Sequence, residues 1–185
     1  MSTKQIEKST VEIQIPDDVK VNLKGSMLHV QGPLGNAYKN FKKIPVLIEI
    51  NDNKILLKKT GERKKYLAIL NTSKSLIQTL CTGVVDGFTI KMKIVYSHFP
   101  ITVKVEGKNV LIENFQGERA PRISAIKGVT KVTVKGDDVI ITGPVLTDVS
   151  QTAANIQLKS KVKNKDHRVF LDGIYKFSQS KGIEK

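Results

Sequence analysis

Lys159, Lys161, Lys163 and Lys165 recur at every second position near the C-terminus. On an extended backbone alternate side chains project to one side. The four ammonium groups would then form a comb that can meet successive phosphates of a nucleic-acid strand. Asn164 and His167 add hydrogen-bond donors, and Arg168 supplies a planar fork suited to a phosphate or a guanine edge. The alternative is a solvated basic tail with no fixed partner. Against it stand Phe170, Leu171, Ile174 and Tyr175, which follow at once and read as anchors. Two further basic stretches qualify. One is Lys58-Lys59-Thr60-Gly61-Glu62-Arg63-Lys64-Lys65, at a strand-to-helix turn. The other is Asn114-Phe115-Gln116-Gly117-Glu118-Arg119-Ala120-Pro121-Arg122, where Gly117 permits a tight turn and Arg119 and Arg122 lie beyond it. Lys91 and Lys93 on an alternating segment, His98 just after it, and Lys176 and Lys181 in the tail complete the expected RNA-binding set.

Other chemistries find little support. The acidic pairs Asp17-Asp18 and Asp137-Asp138 sit in turn-like sequence, where Asp serves the backbone. No phosphate-binding glycine loop, nucleophile elbow or zinc spacing occurs, so neither catalysis nor a cofactor nor a small-molecule substrate is expected. His29, His98 and His167 are scattered, and the single Cys81, among Leu80, Val84 and Val85, reads as a small buried apolar side chain. The chain has 31 Lys and Arg against 17 Asp and Glu, a net charge of +14. So large an excess favours a polyanionic partner. No basic amphipathic helix and no bilayer-length apolar run points to a membrane. Met1 to Glu12 resembles neither a signal peptide nor a transit peptide, so a cytosolic protein is the default expectation. Aromatic residues are 5% of the chain and Trp is absent, which favours reading the shape and phosphates of folded RNA over stacking on single strands.

The elements that would position these residues occur twice. At an offset of 84, Ile15-Pro16 and Val19-Lys20-Val21 match Phe99-Pro100 and Val103-Lys104-Val105. Leu28 falls on Ile112, Asp52-Asn53 on Gly136-Asp137, Ile55-Leu56-Leu57 on Val139-Ile140-Ile141, and Asn71 on Asn155. Near the end the offset becomes 86, with Asp86-Gly87-Phe88 on Asp172-Gly173-Ile174. The chain reads as an α+β protein of two tandem similar domains from an internal duplication, residues 1–86 and 87–185. Each is a small antiparallel sheet packed on one helix, and the second carries a basic C-terminal extension.

Within the first copy, Val19 to Leu23 and Met27 to Gln31 alternate around Lys24-Gly25-Ser26, a hairpin. Val46 to Ile50 and Lys54 to Lys58 form another around Asn51-Asp52-Asn53. Tyr66, Leu70, Ser73, Ile77, Leu80 and Val84 then share one helical face, with Gly83 and Gly87 as stops. In the second copy Gly143-Pro144 precedes a helix with Leu146, Val149, Ala153 and Ile156 on one face. Gly87 to Tyr96 alternates and is expected to join the copies as a shared strand. The same alternation puts Val105 in the second core. From residue 159 onward there are eight Lys or Arg and three Asp or Glu, in a segment the first copy lacks.

Four stretches carry a resemblance that covers nearly the whole chain: Gln31-Gly32-Pro33-Leu34-Gly35, then Gly87-Phe88 with Lys91-Met92 and Val95 through Ile101, then Asn114 through Glu118, and Val162 through Tyr175. Together they resemble the universal large-subunit ribosomal protein six family, in its archaeal and eukaryotic form, called protein nine in eukaryotes. The resemblance implies two tandem α+β domains. It also implies binding to large-subunit rRNA near the sarcin–ricin region and the stalk base, with translational GTPases nearby and other large-subunit proteins as neighbours. It puts much of the contact on the second domain, at Lys163, Asn164, Lys165, His167 and Arg168. The competing expectation is a non-ribosomal two-domain adaptor that offers sheet edges to RNA or protein.

Overall fold

A computed structural model describes residues 10–51, 53–166 and 168–183. The Asp52 turn position and His167 lie outside the described residues. The chain divides into two compact units, Met1–Asp86 and Gly87–Lys185.

The first unit contains β1 (Thr10–Gln14), β2 (Lys20–Lys24), β3 (Met27–Gly32), β4 (Gly35–Asn40), β5 (Val46–Asn51), β6 (Lys54–Lys59) and the helix α1 (Lys64–Val85). Its strands split between two antiparallel sheets, ordered β2-β3-β4 and β1-β6-β5. Leu28, Val30, Ile55 and Leu57 alternate inward from β3 and β6, and Leu70, Ser73, Ile77, Cys81 and Val84 meet them from α1. Tyr66 and Leu80 are only half-buried, so the buried stripe turns toward Cys81. Cys81 is core, and burial pushes its thiol pKa up. Gly83 does not stop the helix. It is buried inside it, the helix runs to Val85, and Gly87 at φ 78° turns the chain away. The Gln31-Gly32-Pro33-Leu34-Gly35 stretch has a packing role here. A Cβ on Gly32 would lie 2.7 Å from Val84 Cγ2, and the Leu34 N–H donates to the Val84 carbonyl at 2.9 Å. The motif thus satisfies one of the carbonyls orphaned at the helix C-terminus.

The second unit contains β7 (Phe88–Val95), β8 (Thr102–Glu106), β9 (Asn109–Glu113), a 3₁₀ turn (Phe115–Gly117), β10 (Arg122–Ala125), β11 (Lys131–Lys135), β12 (Asp138–Gly143), α2 (Leu146–Lys159) and β13 (Gly173–Lys181). Its sheets are β10-β9-β8 and β11-β12-β7-β13. One core joins Ile90, Met92 and Ile94 of β7 with Val110 and Ile112 of β9 and Val139 and Ile141 of β12. Phe115, Val162, Ile174 and the α2 residues Val149, Ala153 and Ile156 complete it. Burying each large aliphatic side chain there stabilises by about 1.5–3 kcal/mol.

Four sequence expectations change. β7 is not a strand shared between copies: it pairs with β12 on one edge and with β13 on the other, both in the second unit. Val105 is 39% exposed while Val103 is buried, because Val105 stands one residue from the hairpin tip, where the sheet no longer covers it. The first hairpins also match at a different offset. Lys24↔Met27 closes over Gly25 and Glu106↔Asn109 closes over Gly107, so the turn glycines, at φ 62° and 57°, are 82 positions apart. The second hairpins keep the 84-residue offset, with Asn51↔Lys54 matching Lys135↔Asp138. Finally, the C-terminal segment is held, as expected, but by fewer anchors: β13 lies antiparallel along β7 with a bulge between Lys176 and Ser178. Ile174 and the partly buried Phe170 anchor it, whereas Leu171 and Tyr175 remain exposed.

Candidate nucleic-acid interface

The comb forms at the exit of α2. Lys159 is the last helical residue; Lys161 and Lys163 follow on an irregular path. All three are exposed, and the residues between them are not: Ser160 is 1% and Val162 3% exposed. Val162 enters the core, while the Ser160 hydroxyl donates to the Gln157 carbonyl and accepts from the Ile174 N–H at 3.0 Å. Burial of every second residue is what turns three lysines outward together.

The comb stops short of Lys165. Asn164 adopts a left-handed conformation, φ 58°, and redirects the chain. The Lys165 ammonium then lies 5.6 Å from the centre of the Phe170 ring, and the His98 ring lies 6.1 Å from the same ring. Lys165, His98 and Phe170 therefore form a second small group. Arg168 donates from its backbone N–H, Nε and Nη2 to the Asp166 carboxylate, yet its side chain is 90% exposed. A bound phosphate could reach it without displacing buried structure.

The Asn114–Arg122 stretch packs beneath the comb. Asn114 and Gln116 hold φ values of 57° and 53° and Gly117 of 77°, so the chain winds tightly around the fully buried Phe115. The Arg122 guanidinium lies 4.1 Å over the Phe115 ring. Its Nε and Nη2 donate to the two Glu118 oxygens at 2.7 and 2.6 Å, and its Nη1 donates to the carbonyls of Lys159 at 2.8 Å and Lys161 at 3.3 Å. The Arg122 hydrogen bond holds the Glu118 carboxyl below its usual pKa. Partial burial opposes this, and the charges of Arg122 and Lys163 reinforce it. Arg119 is exposed beside this arrangement.

Lys91 and Lys93 occupy a different face. They alternate with the core residues Ile90, Met92 and Ile94, so they lie on the side of the sheet away from α2. By register Lys131 and Lys135 of β11 share that side, and Lys93 pairs with Asp138 at 3.0 Å. Lys176 bonds Gln179 past the bulge, and Lys181 ends β13. Most of the sequence-predicted residues thus fall into three patches, the comb, the segment of Lys165 and Arg168 with His98, and the outer sheet face, while Arg119 and Arg122 lie beside the comb and Lys176 and Lys181 pair by register with Met92 and Phe88, away from the Lys91 face.

Sequence reasoning missed Lys127, Lys131, Lys135 and Glu118. Lys127 joins Lys159 and Lys163 around an open groove of 590 Å³ between β10 and α2. A single lysine after a short strand carries no periodic signal; only the tertiary packing brings it there. Lys131 and Lys135 were legible as an alternation, Lys-Val-Thr-Val-Lys, whose polar face the strand register assigns.

The sequence profile of the family described as ribosomal protein L6 matches residues 99–173, which span β8 through the start of β13 and hold the comb. A large ribosomal subunit protein uL6 from Methanosarcina mazei is 43% identical over 163 residues, 88% of this chain and 93% of that protein. Its counterpart in Methanobrevibacter smithii is 45% identical over 168 residues, covering 91% and 94%. The counterpart in Archaeoglobus fulgidus is 41% identical over 179 residues, covering 94% and 90%.

Proposed function

The chain belongs to the ribosomal protein L6 family, and from that premise we propose that it binds large-subunit rRNA chiefly through the second of two domains, residues 87–185. As a member of this family it is a structural constituent of the large ribosomal subunit and no enzyme. The observation that carries the RNA reading is the comb: Lys159, Lys161 and Lys163 project together from a backbone fixed by Ser160, Val162 and Arg122. Three ammonium groups presented from one short, fixed stretch of backbone release counterions from RNA with less backbone left to order. Lys165 and Arg168 extend the contact along the strand, and Lys91, Lys93, Lys131 and Lys135 offer a second face to RNA or to a neighbouring ribosomal protein.

The proposed site on the subunit is the sarcin–ricin region and stalk base of a cytosolic ribosome, beside the docking site of translational GTPases. The family resemblance of Val162 through Tyr175 supports this assignment, and the scarcity of aromatic residues suits folded RNA better than single strands. Cell extract sedimented through a sucrose gradient, after a wash at about 0.5 M salt that screens exposed charge contacts, tests the first step. Co-migration with the large subunit at near-stoichiometric level is expected. Release into the soluble fractions would leave the adaptor reading in its place. Hydroxyl-radical footprinting of reconstituted subunits tests the second, with protection expected in the sarcin–ricin region.

A further inference from the structure

We propose that Arg122 is a positioning residue: clasped by Glu118, its guanidinium sets the spacing of the lysine comb instead of itself meeting phosphate. The inference rests on the rRNA-binding reading above and reassigns a residue that the sequence places among the direct contacts.

A guanidinium has five N–H donors in a fixed plane. Protein groups take four bonds from Arg122: one from Nε and one from Nη2 to Glu118, and two from Nη1 to the carbonyls of Lys159 and Lys161. One face of its plane lies over the Phe115 ring, and its side chain is only 20% exposed. A carboxylate already sits against the cation, so a phosphate arriving there would meet like charge and a nearly filled donor set. The two carbonyls explain what the arrangement does. That of Lys159 is orphaned at the end of α2, where no further helical N–H reaches it. That of Lys161 lies two residues on, past Ser160, whose φ of −91° and ψ of 14° end the helix and turn this second carbonyl toward the same guanidinium nitrogen. Binding both with one nitrogen fixes the backbone between them, and with it the direction of Lys159, Lys161 and Lys163. Lysine has an ammonium in place of the planar fork and cannot reproduce this.

The test turns on a sign. Glu118 is a negative charge on a basic surface and its field reaches Lys163. If charge alone mattered, Glu118→Gln would tighten RNA binding and steepen its salt dependence. If Glu118 holds Arg122 in place, Glu118→Gln weakens binding although it removes a repulsive charge. Wild-type chain, E118Q, R122K and R122Q are titrated with deproteinised large-subunit rRNA over a salt series. Amide hydrogen exchange at Lys161, Val162 and Lys163 is measured on the free proteins, and thermal melts identify any variant that fails to fold. The expected result is weaker binding by E118Q and a roughly tenfold loss for R122K equal to that of R122Q, with faster exchange at 161–163 in all three. Tighter binding by E118Q, wild-type affinity in R122K, or a loss of binding with unchanged exchange would overturn the proposal. Should R122Q not fold, E118Q carries the test, since Glu118 is exposed. Wild-type chain that shows no salt-dependent binding would sink the rRNA reading instead, and the exchange rates would still report whether the clasp holds the segment.

Discussion

The two units are built alike up to their helices and differ in how the chain leaves them. Each has a three-stranded sheet around a hairpin that turns on a glycine at positive φ, a second hairpin, and a helix that closes the core. In the first unit the helix is 22 residues long, and the chain departs at once through Asp86 and Gly87. In the second the helix is 14 residues long, and the chain runs on through Lys161 and Lys163, around Asn164, and back along β7 as β13. The basic comb therefore starts at the last residue of the helix and continues into chain that the first unit lacks. The first unit has its own cationic stretch, but it is organised differently. Lys58 is paired with Glu49 at 2.8 Å and Lys65 lies 5.0 Å from the Tyr66 ring centre, at a helix start that lacks both a capping side chain and an acidic residue.

The sharpest way to break this comparison is to remove one cationic cluster at a time. Replacing Lys159, Lys161 and Lys163 with Ala should lower rRNA affinity by about a thousandfold near 0.1 M salt, roughly tenfold per phosphate contact. The log–log salt slope should flatten by about three units. Replacing Arg63, Lys64 and Lys65 should change affinity by no more than about threefold, because nothing turns those side chains to one side. Equal losses in filter-binding titrations of the two variants would abolish the asymmetry between the units.

Stability offers a second contrast, inside one strand. Val103→Asp puts a carboxylate into the second core and should destabilise the full chain by about 3 kcal/mol or more. Val105→Asp, at the exposed hairpin tip, should stay within about 1 kcal/mol of wild type. Urea unfolding of both variants decides it; similar midpoints would mean that β8 is covered along its whole length.

That pair of valines also marks where sequence reading stops. The Val103-Lys104-Val105 alternation correctly announces a half-buried strand, but alternation is blind to where a sheet ends. The duplication was legible because hairpin turns and apolar periods are local. The clasp was not, because Arg122 reaches carbonyls 37 and 39 positions away, and any residue type can supply a carbonyl. Lys165 shows the converse failure. Its two-residue spacing from Lys163 continues the comb on paper, and one left-handed Asn164 takes it out of line. Asn tolerates that conformation better than most residues, so Asn164 was the available signal, and it was read as a donor instead.

The smallest effect concerns pH. The Glu118 carboxyl is held below its usual pKa, chiefly by the hydrogen bond from Arg122. A depressed carboxylate contributes stability that is complete above its unfolded value, near 4.3 for Glu. That contribution fades as pH falls through the lower folded value, where the native carboxylate takes up its proton. Both groups are partly open to solvent, so the contribution should be at most about 1 kcal/mol. Melting temperatures of wild-type chain and Glu118→Gln should therefore differ by a constant amount from pH 7 down to about 5 and converge below the ordinary carboxylate range. A difference that persists to pH 2 would mean that the glutamine alters packing over Phe115. One that vanishes already at pH 6 would place the linked proton on another group. Either result would separate the electrostatic part of the clasp from its geometric part.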